Sequence, residues 1–380
     1  MISFSDLSFN DDTIVSNCNK HDINKLNNKL NDLLNANNKY SIFFMYNQNM
    51  LDKLIINEVI KYFRLINNII PHIISSIHTN INILEHLILL KNVKEITLTL
   101  IPCDIYGYTT YQLIKNKITN TTCLVLIPYI NYDTGAINNI PLIGDSIKTN
   151  NSKVSLMCNA INYVNNYDIN AASSNSDIIT FCYNSISIAL ISNELMGKFN
   201  KNFIFIDKKN RYDFICCQHI ERAIINLKKD MSTKMGKNKY IKNLKNIFIE
   251  ELKKYPTIYV EDINIHMKSD ISKQKGTKII ILSPPIEDTF ICLPNILLMS
   301  IINLKGKDYS NVYIHNQLKK KGYIISYLER DSILIECLNY STDIKLGCIK
   351  ITFNNELTKD NVINLVKELK SILLNQLNDN

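Results

Sequence analysis

A chain of 380 residues is long enough for two domains, each burying a core of ordinary size. With 46% hydrophobic and 21% charged residues it reads as globular, which excludes a disordered chain, and the formal net charge of +8 is spread along its length. Its 10 Cys include no CxxC pair, so reduced, mostly buried thiols are expected; only Cys216-Cys217-Gln218-His219 is dense enough to suggest metal, and no second pair at ligand spacing accompanies it.

The residues before Asn19 lack periodicity and read as an arm. The N-terminal region is polar from Ser3 to Lys29, unlike a signal peptide, and no apolar run reaches the length of a membrane span. A cytoplasmic protein is expected. From Asp22 to Leu34, apolar residues at Ile23, Leu26, Leu30, Leu33 and Leu34 predict an amphipathic helix. Ser41 to Tyr46 predicts a buried strand, followed by the polar turn Asn47-Gln48-Asn49 and a helix from Leu51 to Phe63. Such an order can seat a phosphate on free helix amides, but without Gly an ordinary connection is the stronger reading.

Further strands are predicted at His72 to Ser76 and Glu95 to Leu100, with helices at Ile81 to Leu90 and Thr110 to Ile118. Strand and helix alternate in this way in a mainly parallel sheet covered by helices. The centre of the chain holds three apolar runs ending in polar clusters: Leu124 to Ile130 before Asn131-Tyr132-Asp133-Thr134-Gly135, Ser155 to Asn162, and Ser176 to Ser185. Strand ends of this kind are where an open α/β sheet presents a ligand site. A strand at Phe203 to Ile206 follows.

From Glu221 to Leu252 the pattern is helical and basic, and reads as one long connection into a second domain. Its Lys residues between Lys228 and Lys254 interleave with Glu250 and Glu251, so a solvated helix face is preferred over a nucleic-acid surface. Beyond it, strands are predicted at Thr257 to Val260, Lys278 to Leu282, Tyr323 to Tyr327, Ser332 to Cys337 and Cys348 to Phe353. Helices are predicted at Pro294 to Asn303, Tyr309 to Lys320 and Asp360 to Leu377. The division expected is an arm over 1–20, a large domain over 21–245 and a small α+β domain over 246–380.

On these residues the chain resembles the cysteine desulfurases of the NifS-like group, in the class V branch of the pyridoxal-phosphate (PLP) enzymes. Thr122 to Ile140 is similar to the family's T-x-L-V-S-V-x-x-x-N-N-E-x-G-x-x-x-P-I, keeping Leu124, Val125, Asn131 and Gly135 with Asp133 as the acid. Met45 to Lys53 is similar to T-S-G-x-T-E-x-N-N, and His72 to Asn80 to H-I-I-T-S-x-x-E-H. Asn159-Ala160-Ile161-Asn162 resembles D-A-x-Q, and Cys182-Tyr183-Asn184-Ser185 resembles S-x-H-K. Ile215 to His219 is similar to G-G-x-Q-E, keeping Gln218, and Cys348 to Thr352 to S-I-R-x-S. The similarity runs in register from about Phe43 to about Leu374.

The resemblance implies PLP-dependent transferase fold type I, aspartate-aminotransferase-like, with a large mainly parallel sheet domain and a smaller α+β C-terminal domain, and it implies a homodimer. It also implies a degenerate site. The cofactor-binding positions hold Asn49, Asn80, Asn131, Asn159, Asn162, Cys182 and Asn184; Ser185 stands at the Schiff-base Lys and Asp331 in the loop of the persulfide Cys. Asn80 represents the ring-stacking His, with His78 two positions out of register. A hydroxyl cannot form an aldimine, and neutral Asn159 cannot keep a pyridine nitrogen protonated. Cys337, in an apolar run, reads as a buried thiol.

A non-catalytic member of this family is therefore the leading expectation, with no covalent cofactor and PLP possible by resemblance only. The alternatives are an active PLP lyase or transferase using a displaced Lys, for which Lys198 and Lys153 are the candidates in sequence, and a non-enzymatic binding or scaffold protein. No metal site, no membrane contact and no particular protein partner is expected, and nucleic acid is disfavoured. His72, His219 and His315 read as structural histidines.

Overall fold

The computed structural model describes residues 20–199, 217–267, 277–285, 291–303, 311–323, 325–327, 344 and 348–378. The expected strands at Phe203 to Ile206 and Ser332 to Cys337 lie outside these residues, as does Asp331.

Helix α1 (Lys20–Leu33) leads into β1 (Tyr40–Met45), α2 (Gln48–Asn67), β2 (His72–Ser76), α3 (Ile81–Asn92) and β3 (Thr97–Ile101). Next come α4 (Tyr111–Lys115), β4 (Thr122–Pro128), α5 (Ile140–Asn150), β5 (Ser155–Asn159), α6 (Tyr163–Asn166), β6 (Ile178–Tyr183), β7 (Ile186–Ser192) and α7 (Asn193–Lys198). The seven strands form one sheet in the order β1-β7-β6-β5-β4-β2-β3. All run parallel except β7, which pairs antiparallel with both β1 and β6.

Strand β4 is buried at every position, as expected of a central strand covered on both faces. On one face Leu51, Ile55 and Ile56 of α2 pack with Ile83 of α3, Leu195 of α7 and Met157 and Ile178 of the sheet. On the other, Leu26 and Leu30 of α1 and Ile140 and Ile143 of α5 pack against Val125, Leu156 and Phe181. Strand β7 was not expected as a separate strand. It returns from β6 through the two-residue turn Asn184-Ser185, both left-handed at φ 47 and 63. That is the geometry of a tight type I′ hairpin, whose twist matches the flanking strands.

The long helix expected from Glu221 to Leu252 is two helices, α8 (Cys217–Met231) and α9 (Lys234–Lys253). A single straight rod could not serve both cores that these segments enter. Ile220, Ala223 and Leu227 of α8 join the first, whereas Ile241, Leu244 and Phe248 of α9 join a second. The boundary expected at 245 falls within α9.

A second sheet, in the order β11-β12-β10-β9-β8, is built from β8 (Ile258–Asp262), β9 (Thr277–Ile281), β10 (Ile296–Asn303), β11 (Ser326–Tyr327) and β12 (Cys348–Thr352). Helices α10 (Ile263–His266), α11 (Asn311–Lys320) and α12 (Lys359–Asn378) complete it. The helix expected from Pro294 to Asn303 is instead the central strand β10. Leu297, Met299 and Ile301 face the core shared with α9 and α12, while Leu298 and Ile302 face a core shared with Cys103 and Tyr106 of the first lobe. A short apolar run buried on both faces carries no period that separates strand from helix, and the alternation is seen only once both cores exist. No helix among the described residues is long and apolar enough to cross a membrane.

Candidate functional site

The parallel strands bring Pro128, Asn159 and Thr180 level with one another, beneath the N-terminus of α2. Here α2 begins with its own cap. Asn47 Oδ1 accepts from Met50 N at 2.9 Å and Asn47 O from Leu51 N at 3.0 Å, so the turn itself engages two amides at this helix start. Asn49 sits in the first turn, half-buried.

Behind that turn is a buried polar cluster that sequence reasoning missed. Asp52, on the inward face of α2, is 1% exposed and has no cation beside it among the described residues. Gln48 Nε2 donates to its Oδ1 at 2.9 Å and Asn159 Nδ2 to its Oδ2 at 3.3 Å. Burial pushes the Asp52 carboxyl up to about 7, against the opposing hydrogen bonds of Thr180, Gln48 and Asn159. Tyr132, at the start of the turn after β4, donates from its hydroxyl to Asn159 Oδ1 at 3.2 Å. Both ends of the Asn159 amide are thus engaged by protein. One signal was legible: Asp52 opens the stripe Ile55, Ile56 and Val59 at helical spacing, an acid in an apolar series.

The other expected positions are dispersed or structurally committed. Asn80 caps α3, its Oδ1 accepting from Asn82 N at 2.9 Å. His78 lies against Cys103, Nε2 to Sγ 2.8 Å, and burial lowers its imidazole to about 4. Asn131 closes its own turn, accepting from Asp133 N and Thr134 N and donating to Gly107 O. A Cβ on Gly107 would stand 2.4 Å from Thr134 Oγ1 and 2.5 Å from Asn131 Nδ2, and its φ of +94 also demands glycine. Asn131 is held in place by this close approach. Gly135 is similarly held, at φ +81 with Ile296 against it.

Asn162 takes a left-handed conformation before α6 with no side-chain capping bond. Cys182 is a half-buried free thiol whose ionisation burial raises. Asn184 and Ser185 are exposed on their two-residue turn. Asp133 meets Lys350 of β12 at 3.3 Å, and the same ammonium donates to Tyr132 O at 3.2 Å, tying the second lobe to the site's rim. Gln218 is exposed in the first turn of α8.

Lys198 and Lys153 are brought together, but far from Ser185. Both line a cavity at the N-terminal ends of β4 and β5, beside Ser155. Strand β5 runs from Ser155 to Asn159, so about 13 Å of extended chain separates the two ends. His72 is buried between Thr122 and Thr99, His219 meets the Tyr46 hydroxyl and His315 packs edge-on to Tyr327. Among the described residues, no group of three or more His, Cys, Asp or Glu is placed to hold a metal.

Within α9 and its neighbours, Lys234 pairs with Asp168, Lys237 with Asp230, Lys253 with Glu250 and Lys254 with Glu251, and buried Lys245 donates to Ile296 O.

Residues 14–184 match the family model described as Aminotransferase class-V. Among solved structures, one described as a NifS-like protein superposes with a TM-score of 0.73 at 17% identity, covering 93% of this chain and 87% of that one. A NifS-like protein from Rickettsia africae ESF-5 gives 0.69 at 15% identity, over 93% and 88% of the two chains. DndA from Streptomyces lividans gives 0.64 at 12%, over 88% and 89%. No curated protein sequence matches significantly.

Proposed function

Because this chain carries a class-V aminotransferase domain on the PLP-dependent type I fold it shares with NifS-like proteins, we propose that it is a non-catalytic relative of the cysteine desulfurases. The observation that carries this reading is the closed cluster Gln48, Asp52, Asn159 and Tyr132, in which the amide standing at the pyridine-facing position already spends both its donor and its acceptor on the protein. Ser185 adds to it: a hydroxyl on an exposed two-residue turn offers neither the amine nor the placement an aldimine needs. The residues present therefore do not fit covalently held PLP.

The working part of such a protein is its scaffold. A cytoplasmic homodimer is the assembly we propose for it, and the carboxylate partners of the α9 lysines favour a protein role over a nucleic-acid one. The purified chain, incubated with PLP, should develop no aldimine absorbance and should release no sulfide from cysteine. A yellow protein discharged by borohydride overturns the reading. Sedimentation at micromolar concentration tests the dimer separately.

A further inference from the structure

We propose that the cavity between the C-terminal half of α2, α7 and the N-terminal ends of β4 and β5 binds a small organic anion, an apolar or aromatic body bearing one acidic head group. The cavity holds about 480 Å³ and lies at the opposite end of the strands from Asn159, so it is independent of the degenerate site. This volume is within the range of small-molecule sites.

Its walls divide by chemistry. Tyr62 and Phe63 of α2 and Leu195 of α7 supply the apolar side. Lys153 and Lys198 complete it, and no Asp or Glu is among its described lining residues. Two lysines in the lining, with a single carboxylate, that of Glu194, paired to one of them, favour negative charge, and the aromatic wall favours a ligand with a body to bury.

Two details make the site more than a pair of surface lysines. The floor of the cavity is a closed polar network: Thr122 Oγ1 accepts from Thr119 N at 2.8 Å and meets His72 Nδ1 at 2.8 Å, and the other ring nitrogen meets Thr99 Oγ1 at 2.9 Å. Burial lowers the His72 imidazole, and both its ring nitrogens are engaged by hydroxyls. Lys198, in turn, is tied to Glu194 at 2.7 Å in an i,i+4 pair that is open to water, so its ammonium is released to a ligand at little cost.

The probe is 1-anilinonaphthalene-8-sulfonate, titrated into the full-length chain with fluorescence as the readout. One-site binding is expected, weakened about tenfold in the double variant Lys153→Ala/Lys198→Ala and unchanged in Lys228→Ala/Lys229→Ala, whose side chains are exposed on α8. The uncharged N-phenyl-1-naphthylamine should bind at least tenfold more weakly than the sulfonate. Thermal melts confirm that each variant is folded, and the single variants Lys153→Gln and Lys198→Gln give intermediate affinities. Absence of binding, binding equal in the double variant, or equal affinity for the uncharged probe overturns the proposal.

Discussion

Asn159 Nδ2 donates to Asp52 Oδ2 at 3.3 Å, so the residue at the place of the family's pyridine-facing acid is itself held by an acid from a different element. Because Asp52 is buried, its carboxyl is pushed up to about 7 in the folded chain, against 3.8 when exposed. The folded state therefore binds this proton more tightly than the unfolded state. Its stabilisation is complete below pH 3.8 and is lost as pH rises through 7.

An Asp52→Asn variant keeps the shape and a hydrogen-bonding group but has no proton to lose. Relative to the parent it should gain about 3 kcal/mol between pH 5 and pH 8, measured by urea unfolding at the two values. A parent and variant with parallel pH profiles would remove Asp52 from the account.

Returning the missing amine should not return the cofactor. A Ser185→Lys variant places its side chain on an exposed turn at φ +63, while the Asn159 amide remains engaged by Asp52 and Tyr132. Its stability should lie within about 0.5 kcal/mol of the parent, and PLP should give no aldimine spectrum. Absorbance that borohydride discharges would show that the site had been open.

Much of the fold was legible because apolar runs and polar strand ends are local. Leu124 to Ile130 could be placed from its own composition, and β4 is buried throughout. What was not legible depends on partners. Ile186 to Ser192 follows its neighbour after a turn that lacks glycine, so the hairpin left no mark, and Ile296 to Asn303 shows its alternation only between two cores. Asp52 was hidden for a related reason: an acid in an amphipathic helix reads as solvent-facing until the sheet beneath it is known. The retained Asn131 and Gly135 were read as marks of a ligand site, yet their contacts are those of a turn and a lobe interface.

The lobes are also joined by charge. Lys350 stands where the resemblance has an Arg, and its ammonium is occupied by Asp133 and by Tyr132 O. Both side chains are partly screened, at 20% and 27% exposure, so the pair is worth more than a surface contact but far less than a buried one. A cycle of Asp133→Asn, Lys350→Met and the double variant should give a coupling of about 0.5–1 kcal/mol at low salt, shrinking in high salt. A coupling near zero would leave the interface to the apolar core around Cys103 and Tyr106.

His78 should set the acid limit of the fold. Its imidazole lies against Cys103, and burial lowers it to about 4 from 6.5, so the folded chain resists protonation that the unfolded chain accepts. Stability from this group is complete above pH 6.5 and is lost as pH falls through 4, by about 3 kcal/mol in all. Over the range from pH 4 to pH 6.5 this slope opposes that of Asp52, so in the parent the two contributions largely cancel and each shows only when the other group is replaced. A His78→Gln variant keeps a group able to meet the Cys103 sulfur but does not titrate. Its unfolding free energy should decline less than the parent's between pH 7 and pH 4, by about 3 kcal/mol in urea titrations. An equal decline in parent and variant would assign the acid sensitivity to other groups.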